Sequence, residues 1–170
     1  PDQDIDKLRH TCQGAISCAR KTLCIVTPYF LPDPGLITAL SVAAMRGVAI
    51  DVVVPAHNNA RFVQWASMSS LRELVAGGCR VWLTPLPFDH TKLLIVDGLW
   101  SHIGTGNWDA RSLRLNFELS LECYSADLAT QLGQQISRPD LGVWVARMAR
   151  VKGSAFYVET AYPRLPAAVN

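Results

Sequence analysis

The sequence predicts an α/β/α sandwich around a mixed, largely parallel central sheet. Three observations predict it. Short apolar runs of strand length alternate with amphipathic stretches of helix length from residue 4 to residue 85. The rhythm then changes to two apolar runs joined by an Asp97–Gly98 pair, a hairpin signal. A strictly alternating segment follows, from Asn116 to Tyr124. Crossover units followed by a hairpin and a strand give helices packed on both faces of one sheet.

The elements follow in order. Ile5, Leu8, Cys12, Ile16 and Ala19 recur at helical spacing over residues 4–20. The run Leu23 to Thr27 is a buried strand stopped by Pro28, and the proline-studded "PYFLPDP" is a loop. "GLITALSVAAMRG" is a helix ended by Gly47, and "VAIDVVVP" is a β-branched strand closed by Pro55. A third helix runs from about Ala60 to Ala76, with Val63, Ala66, Leu71 and Leu74 inward, until Gly77 and Gly78 stop it. "CRVWLTP" is the third strand, and "TKLLIVDGLWSHIG" is the hairpin. In the next strand Phe117, Leu119, Leu121 and Cys123 alternate against Glu118, Ser120 and Glu122. Two amphipathic helices close the domain, one through Leu128, Leu132 and Ile136, the next through Leu141, Trp144, Val145 and Met148. Residues 1–151 form a single domain, and residues 152–170 a loosely ordered tail.

Bulk composition excludes several classes. Hydrophobic residues make up 49% and charged residues 18% of the 170, a globular chain with apolar surplus that suits a partner surface. A net charge of +2 makes nucleic acid an unlikely partner and gives no polybasic membrane anchor. Five cysteines with no CxxC pair read as buried free thiols in a reducing compartment. The longest apolar stretches fall short of a bilayer span, so this chain is expected to be soluble. Its start on Pro1 without a Met reads as a fragment or processed product.

The chemistry gathers in "FDHTKLLIVDGLWSHIGTGN". With a two-residue Asp97–Gly98 turn, Val96 pairs with Leu99, Lys92 faces Ile103 and His90 faces Thr105. His90, Lys92, Thr105 and Asn107 then share one face at the open end of the hairpin. Leu94, Val96, Leu99 and Ile103 anchor that face in the core. Lys92 supplies a point positive charge for phosphate, and Thr105 and Asn107 supply neutral donors for its non-bridging oxygens. His90 is a nucleophile or proton donor near neutral pH. No carboxylate cluster accompanies them, so the site reads as independent of metal and cofactor. Glu118 is the candidate carboxylate to hydrogen-bond the far nitrogen of His90.

Bland readings hold elsewhere. His10 lies on a helix, His57 lacks a neighbouring lysine, and His102 sits mid-strand on the face opposite His90. Asp97 belongs to the turn and reads as structural. Gly104 and Gly106 give backbone room near the ligand or form a bulge. Tyr29 and Phe30 serve either as pocket wall or as core, and Trp108 could border the pocket. Arg111 and Arg114 suit surface salt bridges better than a lipid phosphate.

"HTKLLIVD", followed six residues later by "GTGN", resembles the HxKxxxxD…G[S/T]xN signature of the phospholipase D superfamily at every fixed position. A chance match is on the order of 10⁻⁸ per window. The stretches "VTPYFLPD", "AAMRGVAIDVVVPA", "LRELVAGGCRVW" and "RSLRLNFELSLECY" are similar to the C-terminal half of bacterial cardiolipin synthases, over about residues 1–125. The resemblance implies His90, Lys92, Asn107 and Glu118 as catalytic residues, with Asp97 and Gly104 as motif positions of structural character. It implies a ping-pong transfer of a phosphatidyl group from phosphatidylglycerol through a phosphohistidine. One motif His attacks phosphorus while a second serves as acid and base, the role usual for a C-terminal motif and so implied for His90. The chain carries one motif where that chemistry needs two. The expected partner is therefore a second motif-bearing half or a second copy. The full-length protein would sit at the cytoplasmic side of a bacterial membrane. Two alternatives stand beside this reading: a homodimeric phosphodiesterase or nuclease, and a half-domain without catalysis of its own.

Overall fold

The computed structural model describes residues 6–56, 61–84, 86–136, 144–147 and 159–160. Strands β1 (Thr22–Val26), β3 (Ala49–Pro55) and β4 (Arg80–Thr84) pair in parallel. Helices α2 (Pro34–Met45) and α3 (Arg61–Ala76) make the two crossovers. Asp33 starts α2 by accepting from the N–H groups of Gly35 and Leu36, with Pro34 at the first helical position. Beyond β1 lie β5 (Leu93–Val96), β6 (Trp100–Gly104) and β8 (Ser120–Tyr124), all antiparallel. On the other side, β9 (Trp144–Arg147) and β10 (Glu159–Thr160) add antiparallel to β4. The sheet is mixed as expected, but its parallel part is confined to β1, β3 and β4. Parallel neighbours need a crossover, and after β4 the short connections into and out of the hairpin permit only antiparallel pairing.

Both faces of the parallel strands are covered, so their sequences are nearly continuous apolar runs. Leu23, Ile25, Ile50, Val52 and Val81 pack beneath α1 (Lys7–Cys18), α2 and α3. Val26, Val53, Trp82, Leu93 and Ile95 point the other way, toward α5 (Ala126–Ile136). A small parallel pair, β2 (Phe30–Leu31) with β7 (Trp108–Asp109), and the one-turn α4 (Ala110–Arg114) complete the described elements.

Three expectations are corrected. The segment read as a second closing helix through Trp144 and Val145 is strand β9, with those residues opposite Leu83 and Trp82. An open edge on β4 and a β-branched, aromatic sequence outweigh the helical spacing. The strand expected from Asn116 begins only at Ser120, and Phe117, Leu119 and Leu121 stand exposed. The hairpin register is shifted: Val96 faces Trp100, so three residues, Asp97, Gly98 and Leu99, form the loop. Asp97 (φ 53°) and Gly98 (φ 65°) turn the chain through the left-handed region. The tail expected over 152–170 lies outside the described residues except for β10, which pairs with β9. His57 lies outside them too.

Candidate active site

The polar residues gather at the carboxyl ends of the parallel strands, the usual place for ligands in such sheets. There the chain enters β5 through an irregular stretch from Phe88 to Lys92. His90 is exposed, whereas Lys92 is only 9% exposed. The Lys92 Nζ donates to the His90 backbone oxygen at 2.7 Å and lies 2.8 Å from ring Nδ1 and 3.1 Å from Nε2. The contact sets a cation at the edge of the imidazole that carries both ring nitrogens. Burial pushes the Lys92 pKa below its ordinary value, while Glu118 and Asp89 pull it back up. Tyr29 stands edge-on to the His90 ring at 6.3 Å, and Phe88 lies tilted at 5.9 Å. Tyr29 is thus wall rather than core.

The following turn is built around Glu118. The Thr105 hydroxyl donates to Glu118 Oε2 and accepts from the Leu119 N–H at 3.0 Å. Asn116 Nδ2 donates to Glu118 Oε1 at 3.2 Å. The hydroxyl proton of Thr105, expected to meet phosphate, is directed at Glu118. Glu118 likewise does not take the expected bond from His90, whose ring nitrogens both face Lys92. Its charge is felt by Lys92. Gly104 and Gly106 make room for protein rather than for a ligand. A Cβ on Gly104 would lie 2.6 Å from the Leu119 carbonyl oxygen, and one on Gly106 would lie 2.7 Å from Leu8 Cδ2.

Asn107 carries a buried Oδ1 without a partner, and its Nδ2 reaches Ser112 Oγ at 3.4 Å. The Ser112 hydroxyl in turn donates to Asp109 Oδ2 at 3.5 Å. Ser112 is held there because Asp109 caps α4, accepting from the N–H groups of Arg111 and Ser112, each at 2.9 Å. Asp109 and Ser112 were missed in the sequence. The N-cap pattern "DARS" right after the Asn was the signal that could have found them.

Other residues fall away from the mouth. Phe30 and Trp108 are buried and stack at 6.0 Å, joining the two short strands, so Trp108 is core and does not border the pocket. Arg114 pairs with Asp6 at 3.0 Å, the surface salt bridge expected. His102 shares the face of Lys92 and Leu94, against expectation, because the register shift sets it opposite Leu94. Burial lowers its pKa against the pull of Glu122. All five cysteines are free; Cys12 and Cys79 are buried, and Cys18 is exposed, correcting the expectation for that thiol. Asp97 sits at the far end of β5 and accepts from the N–H groups of Arg20, Lys21 and Thr22 at 2.9, 2.7 and 2.8 Å.

A mixed sheet whose carboxyl edge presents a His–Lys pair, an Asn turn and a buttressed Glu defines a phospholipase D-type α/β domain. The family described as cardiolipin synthase, PLD-like domain, matches residues 13–139, and the chain belongs to it. It is 34% identical over 132 residues to the major cardiolipin synthase of Bacillus subtilis, covering 78% of this chain and 27% of that one. It is 41% identical over 128 residues to cardiolipin synthase A of Proteus mirabilis, covering 73% and 26%. The chain thus spans about a quarter of the length of these relatives. Among solved structures, Nuc, a phospholipase D family member from Salmonella typhimurium, superposes with a TM-score of 0.69 at 23% identity, covering 82% of this chain and 90% of that one. The phosphatidylserine synthase of Haemophilus influenzae gives 0.69 at 20%, covering 81% and 36%. Both likenesses concern the fold.

Proposed function

We propose that the chain is one catalytic half of a phosphatidyltransferase of cardiolipin synthase type, acting on phosphatidylglycerol. The observation that carries this reading is the Lys92 ammonium, largely buried, held 2.8 Å from the His90 ring with the Glu118 charge nearby. An arriving phosphodiester would take over the donors of Lys92 and the amide of Asn107, which neutralise its non-bridging oxygens as charge builds in the transition state. A motif imidazole then forms a bond to phosphorus as the bond to the leaving glycerol oxygen breaks. The second motif imidazole gives that oxygen its proton. It next takes a proton from the acceptor alcohol, which attacks phosphorus and releases the first ring. His90 is assigned the acid–base role. The other motif is assigned to a second half or a second copy, seated against the exposed apolar Leu115, Phe117 and Leu119 that flank Glu118. No described helix is long and apolar enough to cross a membrane. The full-length protein is placed at the cytoplasmic membrane, where its substrate lies.

Light scattering beside a phosphatidylglycerol turnover assay in detergent tests the two-motif requirement. The chain is expected to be inactive as a monomer and active once paired, whereas an active monomer would overturn it. Glu118→Gln tests the carboxylate. The amide oxygen can still accept from Thr105 or Asn116, so the fold should hold, while loss of the charge beside Lys92 should lower kcat by about 10–100-fold. Wild-type turnover in that variant would remove Glu118 from the mechanism.

A further inference from the structure

Beside His90 opens a groove of about 630 Å³ on the α5 side of the sheet. Val26, Val53 and Leu93 form its floor, and Leu132 and Ile136 of α5 form one wall. Leu86, 67% exposed, extends the apolar surface outward at its rim. One polar atom stands out within it. The Thr84 Oγ1 is buried and has no hydrogen-bond partner among the described residues. The backbone of Thr84 is not at fault, since its carbonyl accepts from Ala56 at 2.8 Å. A buried hydroxyl left unpaired costs about 1–3 kcal/mol, so its retention at the end of β4 calls for a reason.

We propose that this groove seats the acyl-ester portion of the donor lipid, with the Thr84 hydroxyl donating to an ester carbonyl. The inference rests on the phosphatidyl-transfer reading and deepens it. The groove is continuous with His90, so whatever fills it is attached to a phosphate held there. Its floor and α5 wall are apolar, the surface that methylenes fill, and Asp89, Thr91 and Gln135 supply its polar part. An ester carbonyl accepts and never donates, and the unpaired Thr84 hydroxyl is there to meet it. The methylenes beyond the ester then lie along Val53, Leu132 and Ile136 and leave past Leu86.

Methyl-labelled NMR of the protein tests this with two soluble probes, dihexanoyl phosphatidylglycerol and its deacylated counterpart, glycerophosphoglycerol. The diacyl probe is expected to shift the methyls of Val26, Val53, Leu93, Leu132 and Ile136, and the deacylated probe to leave them in place. Thr84→Val, nearly the same shape, should raise the Kd of the diacyl probe about tenfold and leave that of the deacylated probe unchanged. Equal shifts from both probes would make the groove a headgroup seat, and still methyls at saturating diacyl probe would overturn the proposal outright. An unchanged Kd would remove Thr84. Because the readout is binding, a paired protein that shifts as expected yet transfers nothing would sink the transferase reading alone. Efficient transfer with still methyls would sink only the groove.

Discussion

Replacing His90 with alanine is expected to cost at least about 10³-fold in phosphatidylglycerol turnover while leaving the melting midpoint unchanged. The two halves of that expectation come from different observations. His90 is exposed, and its side chain meets Lys92, Tyr29 and Phe88 without entering either hydrophobic cluster, so little folding energy resides in the ring. The reaction, by contrast, has no substitute for it among the described residues. His102 is buried within β6, and His10 is exposed on α1. Loss of rate through a wandering Lys92 is the competing explanation. Two features argue against it: Nζ keeps its 2.7 Å bond to the backbone oxygen of residue 90, and Glu118 remains nearby. Added imidazole separates the two accounts, since it can replace a missing ring and cannot restore a misplaced lysine. Partial recovery with imidazole is the expected result. Undiminished turnover in the variant would refute the site.

The parts of this fold readable in the sequence are those where local pattern and final environment agree. β1, β3 and β4 are nearly continuous apolar runs because helices cover both their faces, and Pro28, Gly47, Pro55 and the Gly77–Gly78 pair mark where elements stop. The placement of His90, Lys92 and Asn107 at the open end of the hairpin was readable because their spacing is fixed by the chain itself, His90 and Lys92 two apart and Asn107 just beyond β6. What could not be read depends on contacts distant in sequence. The extra loop residue Leu99 depends on Asp97 being held by Arg20, Lys21 and Thr22, at 75 or more residues' separation. The commitment of Thr105 to Glu118 depends on how far the segment after α4 returns along β6. Strand β9 depends on an unfilled edge of β4. The exposed Phe117 and Leu119 broke the pattern for another reason: their apolar surface has no counterpart among the described residues to cover it.

Asp97 is a motif letter that the fold sets away from His90, at the far end of β5, and its replacement carries the second large effect. Asp97→Ala is expected to lower unfolding free energy by about 2–3 kcal/mol. Its carboxylate takes two backbone N–H groups from the loop between α1 and β1 and a third from Thr22, which opens β1, and its own N–H donates to the Thr22 oxygen at 2.9 Å. Without the carboxylate those donors keep only what water can reach. Alanine also carries a backbone penalty at φ 53°, which asparagine tolerates better. Asp97→Asn therefore isolates the hydrogen bonds: one oxygen remains for Lys21 and Thr22, so the loss should be smaller, about 1 kcal/mol. Burial alone would raise the Asp97 pKa, but the three N–H donors and Lys21 outweigh it and hold the carboxyl below its ordinary value. Its stabilising contribution is therefore complete above the unfolded carboxyl pKa of about 3.9 and fades as pH falls through the lower folded value. Denaturant midpoints across that acid range should fall more steeply for the wild type than for Asp97→Ala. Turnover per folded molecule should stay near wild type in both variants, because the turn lies at the opposite end of β5 from His90. A variant of native stability with crippled turnover would return Asp97 to the catalytic site.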